Sequence, residues 1–253
     1  YAGFPADMDE LSAIANAHNL ILVEDAAQAL GSSYKDRPAG SLGDLAAFSF
    51  HETKNIVSGE GGALTVNRAD LFERAEIIRE KGTNRSRFLR GAVDKYTWVD
   101  LGSSYLPGEL VASFLFGQFE FAEAITNRRL SVFERYLEAF KPLEDAGRVC
   151  LPRWRSDVKG NGHMFYLLLK DAQDRDKFID AMREKGVGTP FHYVPLHSAP
   201  AGKKFSRAVG DMKVTNRISQ TLVRLPIFFD LGSDAERVID AAFEYLGAQN
   251  STS

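Results

Sequence analysis

The chain has 253 residues, 44% of them hydrophobic and 18 of them Phe, enough to bury a substantial core as one large or two modest domains. A formal net charge of -3 with 26% charged residues creates no field that would gather nucleic acid or an anionic membrane, so neither is expected as a partner. The single cysteine, Cys150, excludes an internal disulfide framework and fits a reducing compartment, which points to the cytoplasm.

No apolar run approaches the roughly 20 residues of a membrane helix, and the opening YAGFPADMDEL resembles neither a signal nor a transit peptide. That opening reads as the end of a strand running into a helix, as if the chain starts in mid-fold. Apolar spacing in Met8, Leu11, Ile14 and Ala15 predicts a helix over 7–17, with an acidic first turn that suits its dipole. A strand follows over 20–24, and its nearly continuous apolar character predicts burial on both faces of a parallel sheet, with helices on either side. Residues 45–50 and 62–66 read as two more buried strands, and 69–81 as an amphipathic helix stopped by Gly82.

The stretch GTNRSRFLRGAVDKYTWVDLGSSY is too long and too polar for an idle connection and is expected to bind something. From Pro107 to about Asp145 the pattern is helical, with Pro107 in the first turn. Beyond Pro152, a strand at 164–169, a helix at 175–185, a short strand leading into FHYVPLH, a helix before Leu225 and a last helix over 233–246 describe a small α+β domain. The tail 249–253 is expected to fray. The expected organisation is a large α/β domain over 1–145, ending in long linking helices, and a small C-terminal domain over 146–253.

The chemistry centres on Lys54, which an apolar strand delivers into a polar loop in LAAFSFHETKNIVSGEGGAL. Lysine is costly to hold near a core, and a protein that does so often uses the amine as a nucleophile, above all toward the aldehyde of pyridoxal phosphate. That cofactor needs an acid, and Asp25 stands at the carboxyl end of LILVED, where ligands gather in a parallel α/β sheet. A carboxylate paired with a pyridinium at about 4 Å contributes on the order of 4 kcal/mol at an effective dielectric near 20. Asp25 also suits the simpler role of a strand-end cap for the following turn.

Gln28 could donate to a phenolic oxygen on the same ring, or face solvent on a turn; the small Ala27 leaves room for the ring face. Ser49, a hydroxyl among phenylalanines, must find an acceptor, either a phosphate oxygen or a backbone carbonyl. GEGG suits a tight return after the lysine but lacks the Lys-Ser/Thr ending of a nucleotide P-loop, so ATP binding is not expected. His51 fits orienting the loop as well as acting as a base and is given no catalytic role. No metal site is expected.

EDAAQ, FSFHETKN, GEGG, EKGTNRS, VDKYTW, GSSYL and FHYVPLH, in this order and spacing, resemble the DegT/DnrJ/EryC1/StrS family of sugar aminotransferases over nearly the whole chain. The resemblance implies a pyridoxal-phosphate-dependent transferase of fold type I, aspartate-aminotransferase-like, with a mainly parallel sheet in the large domain and a homodimer with shared active sites. It implies pyridoxal 5'-phosphate as cofactor, bonded by Lys54, with Asp25 on the pyridinium, Gln28 on the phenolic oxygen, Ala27 against the ring and Ser49 on the phosphate. The segment matching GSSYL reaches the neighbouring subunit's phosphate in relatives, often through Asn; here the residue is Ser104.

Lys95, Tyr96, His192 and Tyr193 are the implied contacts to a nucleotide-diphosphate sugar, and Arg85, Arg87 and Arg90 could meet the diphosphate or form a solvated basic loop. The similarity is greatest to members that aminate the C4 keto group of TDP-4-oxo-6-deoxy-D-glucose, with L-glutamate as donor, in making enterobacterial common antigen. Alternatives are a C3 sugar aminotransferase, a dehydratase on the same scaffold, in which histidine replaces the lysine, and a cofactor-free regulatory or oligomerisation protein. Family members extend further upstream, where a Gly-Thr/Ser turn holds the phosphate and an aromatic side chain covers the ring.

Overall fold

The computed structural model of the protein describes residues 1–248; the tail expected to fray lies outside them. The chain divides into two compact units, one formed by Tyr1–Ile125 with Ser156–Asn161 and the other by Thr126–Arg155 with the chain from Gly162 onward. The division falls upstream of the expected boundary at residue 145.

In the first unit, helix α1 (Met8–Ala17) starts where expected because Asp7 caps it, its Oδ1 accepting from the amide of Glu10 at 3.3 Å. Strand β1 (Val23–Asp25), the short pair β2 (Ser33–Tyr34) and β3 (Arg37–Pro38), β4 (Leu45–Ser49) and β5 (Gly62–Val66) follow. After β5 come α2 (Phe72–Arg79), preceded by a 3-10 turn at Ala69–Leu71, then a short α3 (Arg85–Leu89) within the expected loop, and α4 (Glu109–Glu120). Pro107 lies one residue before the N-cap Gly108 instead of in the first turn of α4. Helix α5 (Ala122–Asp145) begins in this unit, and β6 (Val158–Lys159) returns to it, pairing antiparallel with β2.

The main sheet has the order β1-β4-β5. β1 and β4 are parallel, Val23 opposite Leu45 and Asp25 opposite Ala47. β5 returns antiparallel to β4 after the connection formed by residues 50–61, so the sheet is mixed. Burial on both faces does not occur: Glu24 and Ala46 are buried on one face, whereas Val23 and Leu64 on the other are 57% and 54% exposed. The reason is local, since among the described residues nothing covers that second face, and the strand pattern reports hydrophobicity without reporting a partner. Gly62 is dictated by the return, because a Cβ there would lie 2.6 Å from the carbonyl oxygen of Phe48.

The second unit holds the rest of α5, then β7 (Phe165–Leu168), α6 (Ala172–Glu184), a short α7 (Pro200–Phe205), α8 (Lys213–Thr221), β8 (Leu222–Leu225) and α9 (Asp234–Ala248). β7 and β8 form an antiparallel pair whose inner face, Phe165, Leu167, Val223 and Leu225, is almost fully buried. Phe133, Tyr136 and Phe140 of α5 gather around Phe165, with ring centroids 5.0, 5.1 and 6.3 Å from it. The expected short strand before FHYVPLH is reduced to one bridge, Phe191 with Val223.

Candidate active site

Asp25 and Ser49 close the carboxyl ends of two adjacent parallel strands, and strand alternation puts them on the same, open face of the sheet. Asp25 Oδ1 accepts from the amide of Ala27 at 3.1 Å, so the turn-cap role is real. It occupies one oxygen only; Oδ2 has no protein donor among the described residues. Asp25 also borders a hollow of about 170 Å³ lined by Tyr1, Phe4, Leu11, Leu22 and Val23.

Beside it, Glu24 points to the buried face, where its two oxygens accept from the amides of Gly40, Leu42 and Gly43 at 2.9, 2.6 and 2.7 Å. Gln28 Oε1 accepts from the amide of Ala2 at 2.7 Å, which fixes the flip of the side chain and leaves its NH₂ to donate elsewhere. Ser49 Oγ accepts from the amide of His51 at 3.3 Å, so its hydroxyl proton remains available. The backbone-carbonyl role considered for Ser49 is not what the structure shows.

Lys54 sits on the hairpin between β4 and β5, held by the bond from its amide to the His51 carbonyl at 2.9 Å. Its ε-amine makes no hydrogen bond or ion pair among the described residues. The hairpin is braced from both sides. His51 Nδ1 accepts from the amide of Thr53 at 3.2 Å and lies 3.0 Å from its hydroxyl, while Nε2 faces Glu60 at 3.7 Å, so this ring orients the loop. Ile56 and Phe50 are buried against Ile125, with Phe119 packed edge-on to Phe50 at 5.5 Å.

Asn55 and Asn161 complete the brace, and sequence reasoning missed both. Asn55 Nδ2 donates to the Asn161 carbonyl at 2.9 Å; Asn161 Nδ2 donates to the carbonyls of Gln28 and Leu30 at 2.9 and 2.8 Å. The only sequence signal was an Asn between two glycines in KGNGH.

The remaining expected residues are placed as follows. Ala27 is half-buried on the Asp25 turn. Ser104 is exposed, in a bridge with Glu80 near the end of α2, and no described hydrogen bond joins it to Asp25, Gln28, Ser49 or Lys54. Lys95 and Tyr96 are exposed on the loop after α3, Tyr96 leaning on Phe88 at 5.7 Å. His192 and Tyr193 belong to the second unit, their rings 4.7 Å apart.

The three arginines considered for a diphosphate each pair with an acid of the same unit. Arg85 pairs with Glu80 at 2.6 Å, Arg87 with Glu73 at 3.0 Å, and Arg90 with Glu76 through two bonds at 2.6 and 2.7 Å. The loop is tied to α2 by charge, with Gly82 (φ +73°) at its root because a Cβ there would collide with the Asp100 carbonyl. An apolar groove of about 830 Å³ between β5 and α2 is lined by none of the expected site residues. Among the described residues no group of metal-ligating side chains occurs, and no helix is long and apolar enough to cross a membrane.

A parallel strand pair ending in Asp25 and Ser49, followed by a lysine hairpin, defines the scaffold of the pyridoxal-phosphate-dependent transferases of fold type I. Solved structures agree: an aminotransferase from Psychrobacter cryohalolentis superposes with a TM-score of 0.88 at 23% identity, over 99% of this chain and 68% of that one. The DesV protein of S. venezuelae gives 0.83 at 31% identity, over 97% of this chain and 63% of its own. The sequence profile of the DegT/DnrJ/EryC1/StrS aminotransferase family matches residues 1–243, and the chain belongs to that family. The family's cofactor is pyridoxal 5'-phosphate. An uncharacterised protein of Methanocaldococcus jannaschii is 33% identical over 92% of the chain, and the chain spans 62% of that relative's length.

The residues present fit the cofactor. Among the described residues Asp25 keeps a free carboxylate oxygen, Gln28 a free NH₂, Ser49 a free hydroxyl proton and Lys54 a free amine, the set of groups that a pyridinium, a phenolic oxygen, a phosphate and an aldehyde require.

Proposed function

We propose that the protein is a nucleotide-sugar aminotransferase that moves an amino group from L-glutamate to the C4 keto group of TDP-4-oxo-6-deoxy-D-glucose, supplying a precursor of cell-surface glycan in the cytoplasm. The observation that carries this reading is the ε-amine of Lys54, without a partner among the described residues, on a hairpin braced on both sides. Pyridoxal phosphate, when bound, supplies an aldehyde that holds the amino group and a ring that accepts electrons.

This chain's residues do the rest. Lys54 would hold the cofactor at Nζ, and its amine would take up and return protons at that nitrogen. Asp25 Oδ2 would hold a cationic ring nitrogen, Gln28 Nε2 would donate to the phenolic oxygen, the methyl of Ala27 would leave room for the ring, and Ser49 Oγ would donate to phosphate. Lys95, Tyr96, His192 and Tyr193 contact the nucleotide sugar, and in a homodimer Ser104 serves the neighbouring subunit's phosphate. The motif resemblance supports the substrate; the lysine speaks against a dehydratase, whose relatives carry histidine there.

Incubation of the protein with TDP-4-oxo-6-deoxy-D-glucose and glutamate should yield a 4-amino sugar, identified by NMR. Lys54→Ala should lose both the product and the visible absorbance of the bound cofactor. A coloured, active Lys54→Ala protein would overturn the reading.

A further inference from the structure

The geometry points to an oxyanion subsite at Arg224 in the second unit, flanked by Tyr166 and Tyr193, that takes a carboxylate or phosphate oxygen of a reactant. Arg224 lies on β8 directly opposite Tyr166 on β7, so the two share a face of the pair; the other face is the one buried in the core. The guanidinium stands 5.9 Å from the ring centroid of Tyr193, which is 66% exposed. The chain therefore presents a planar cation beside the Tyr193 ring and across the strand pair from Tyr166, at a surface that a small anion can reach.

Its donors are almost unused. Among the described residues no carboxylate lies within ion-pair distance, and the hydrogen bond it makes is a long one, 3.4 Å, from an η-nitrogen to the Phe191 carbonyl. Nε is buried with no partner among the described residues. Other enclosed arginines of the same unit differ: Arg129 donates to the carbonyls of Gly162 and His163, and Arg175 to Asp176 and to the Ser219 carbonyl. A guanidinium offers five N–H groups in a fork that matches a carboxylate or phosphate, so a half-buried one with a single long bond is a preformed half of such a pair. The hydroxyls of Tyr166 and Tyr193 also have no protein acceptor among the described residues and can add donors to the same anion. Burial and the neighbouring Arg224 charge hold the His192 imidazole below its ordinary value, so it stays neutral there and leaves Arg224 as the local charge.

The inference rests on the proposed function only for the source of the anion, the diphosphate of the sugar nucleotide or a carboxylate of the amino donor. It is tested without turnover. Binding of inorganic pyrophosphate and of glutarate to the protein and to Arg224→Met is measured by calorimetry. A loss of roughly tenfold to a hundredfold for pyrophosphate assigns the nucleotide, and the same loss for glutarate assigns the donor, with Arg224→Lys retaining part of the affinity.

Parent affinity for both probes in a folded Arg224→Met protein overturns the subsite. Should that variant fail to fold, the Nε–H resonance of Arg224 in the parent protein decides: it moves on addition of one of the probes, or the proposal falls. Arg224-dependent binding without any aminated sugar would leave the subsite standing and remove the reaction; the reverse result would do the opposite.

Discussion

The side-chain amide of Asn161 donates to the carbonyl of Gln28 at 2.9 Å, joining the turn after β1 to a segment 133 positions away in sequence. Its second bond, to Leu30, and the Asn55 bond to its own carbonyl make Asn161 the buried link between the Gln28 turn and the Lys54 hairpin. Asn161→Ala would leave two carbonyls without these donors, and a loss of about 2–4 kcal/mol is expected. Urea unfolding checks this; a change below about 0.5 kcal/mol at unchanged slope would refute the link.

Asp25→Asn keeps an oxygen to accept from the Ala27 amide but removes the charge. Thermal stability should change by less than about 0.5 kcal/mol, while turnover should fall by at least about a hundredfold. Unchanged turnover would show that Asp25 is a turn cap and nothing more.

Glu24→Gln opposes an NH₂ group to an amide that the carboxylate now accepts, either from Gly40 or from the Leu42 and Gly43 pair. The loop after β3 should loosen at a cost of about 2 kcal/mol, read from a thermal melt. Equal stability would mean that Thr65 and Asn67, which donate to the Gly40 carbonyl, hold that loop without Glu24.

Arg90 holds the Glu76 carboxyl below its ordinary value of 4.5. A lowered carboxylate contributes stability that is present above 4.5 and is lost as pH falls through the folded value. Amide exchange over residues 83–98, corrected for intrinsic rate, should quicken in that acid range. Arg90→Ala should show the quickening already at neutral pH, and a flat profile in the parent would sink the claim that charge docks the loop.

His192 is held below 6.5, first by burial and then by Arg224. The unfolded chain therefore binds its proton more readily, so its contribution is present above 6.5 and declines as pH falls through the folded value. In Arg224→Met the His192 titration, followed by NMR, should move upward. A midpoint that does not move would remove Arg224 from its surroundings.

Much of the architecture could be read from short-range pattern. The helix ending at Ala17, the apolar strand running to Ser49 and the glycine return after Lys54 each depend on neighbours within a few residues, and each falls where the sequence puts it. What escaped depends on distance. The antiparallel return of β5 and the exposure of Val23 turn on what lies beside a strand, which hydrophobicity does not encode. Arg87 and Arg90 were ambiguous because their acids stand 14 positions back, on a helix face that only the folded loop meets. Lys54, Asp25, Gln28 and Ser49 were visible as residue types at strand ends, while the hydrogen bonds that decide which of their atoms remain free were not.

The Asn55 to Asn161 bond also sets an order of events. Its partners are 106 positions apart, so a growing chain carries the lysine hairpin through the synthesis of all of α5 before the acceptor for Asn55 exists. Closing so long a loop raises contact order and slows folding, although the entropy itself grows only by about 0.6 kcal/mol per doubling of length. The Lys54 hairpin is thus made early and immobilised late, and a chain interrupted ahead of Asn161 would hold the lysine without one of its restraints.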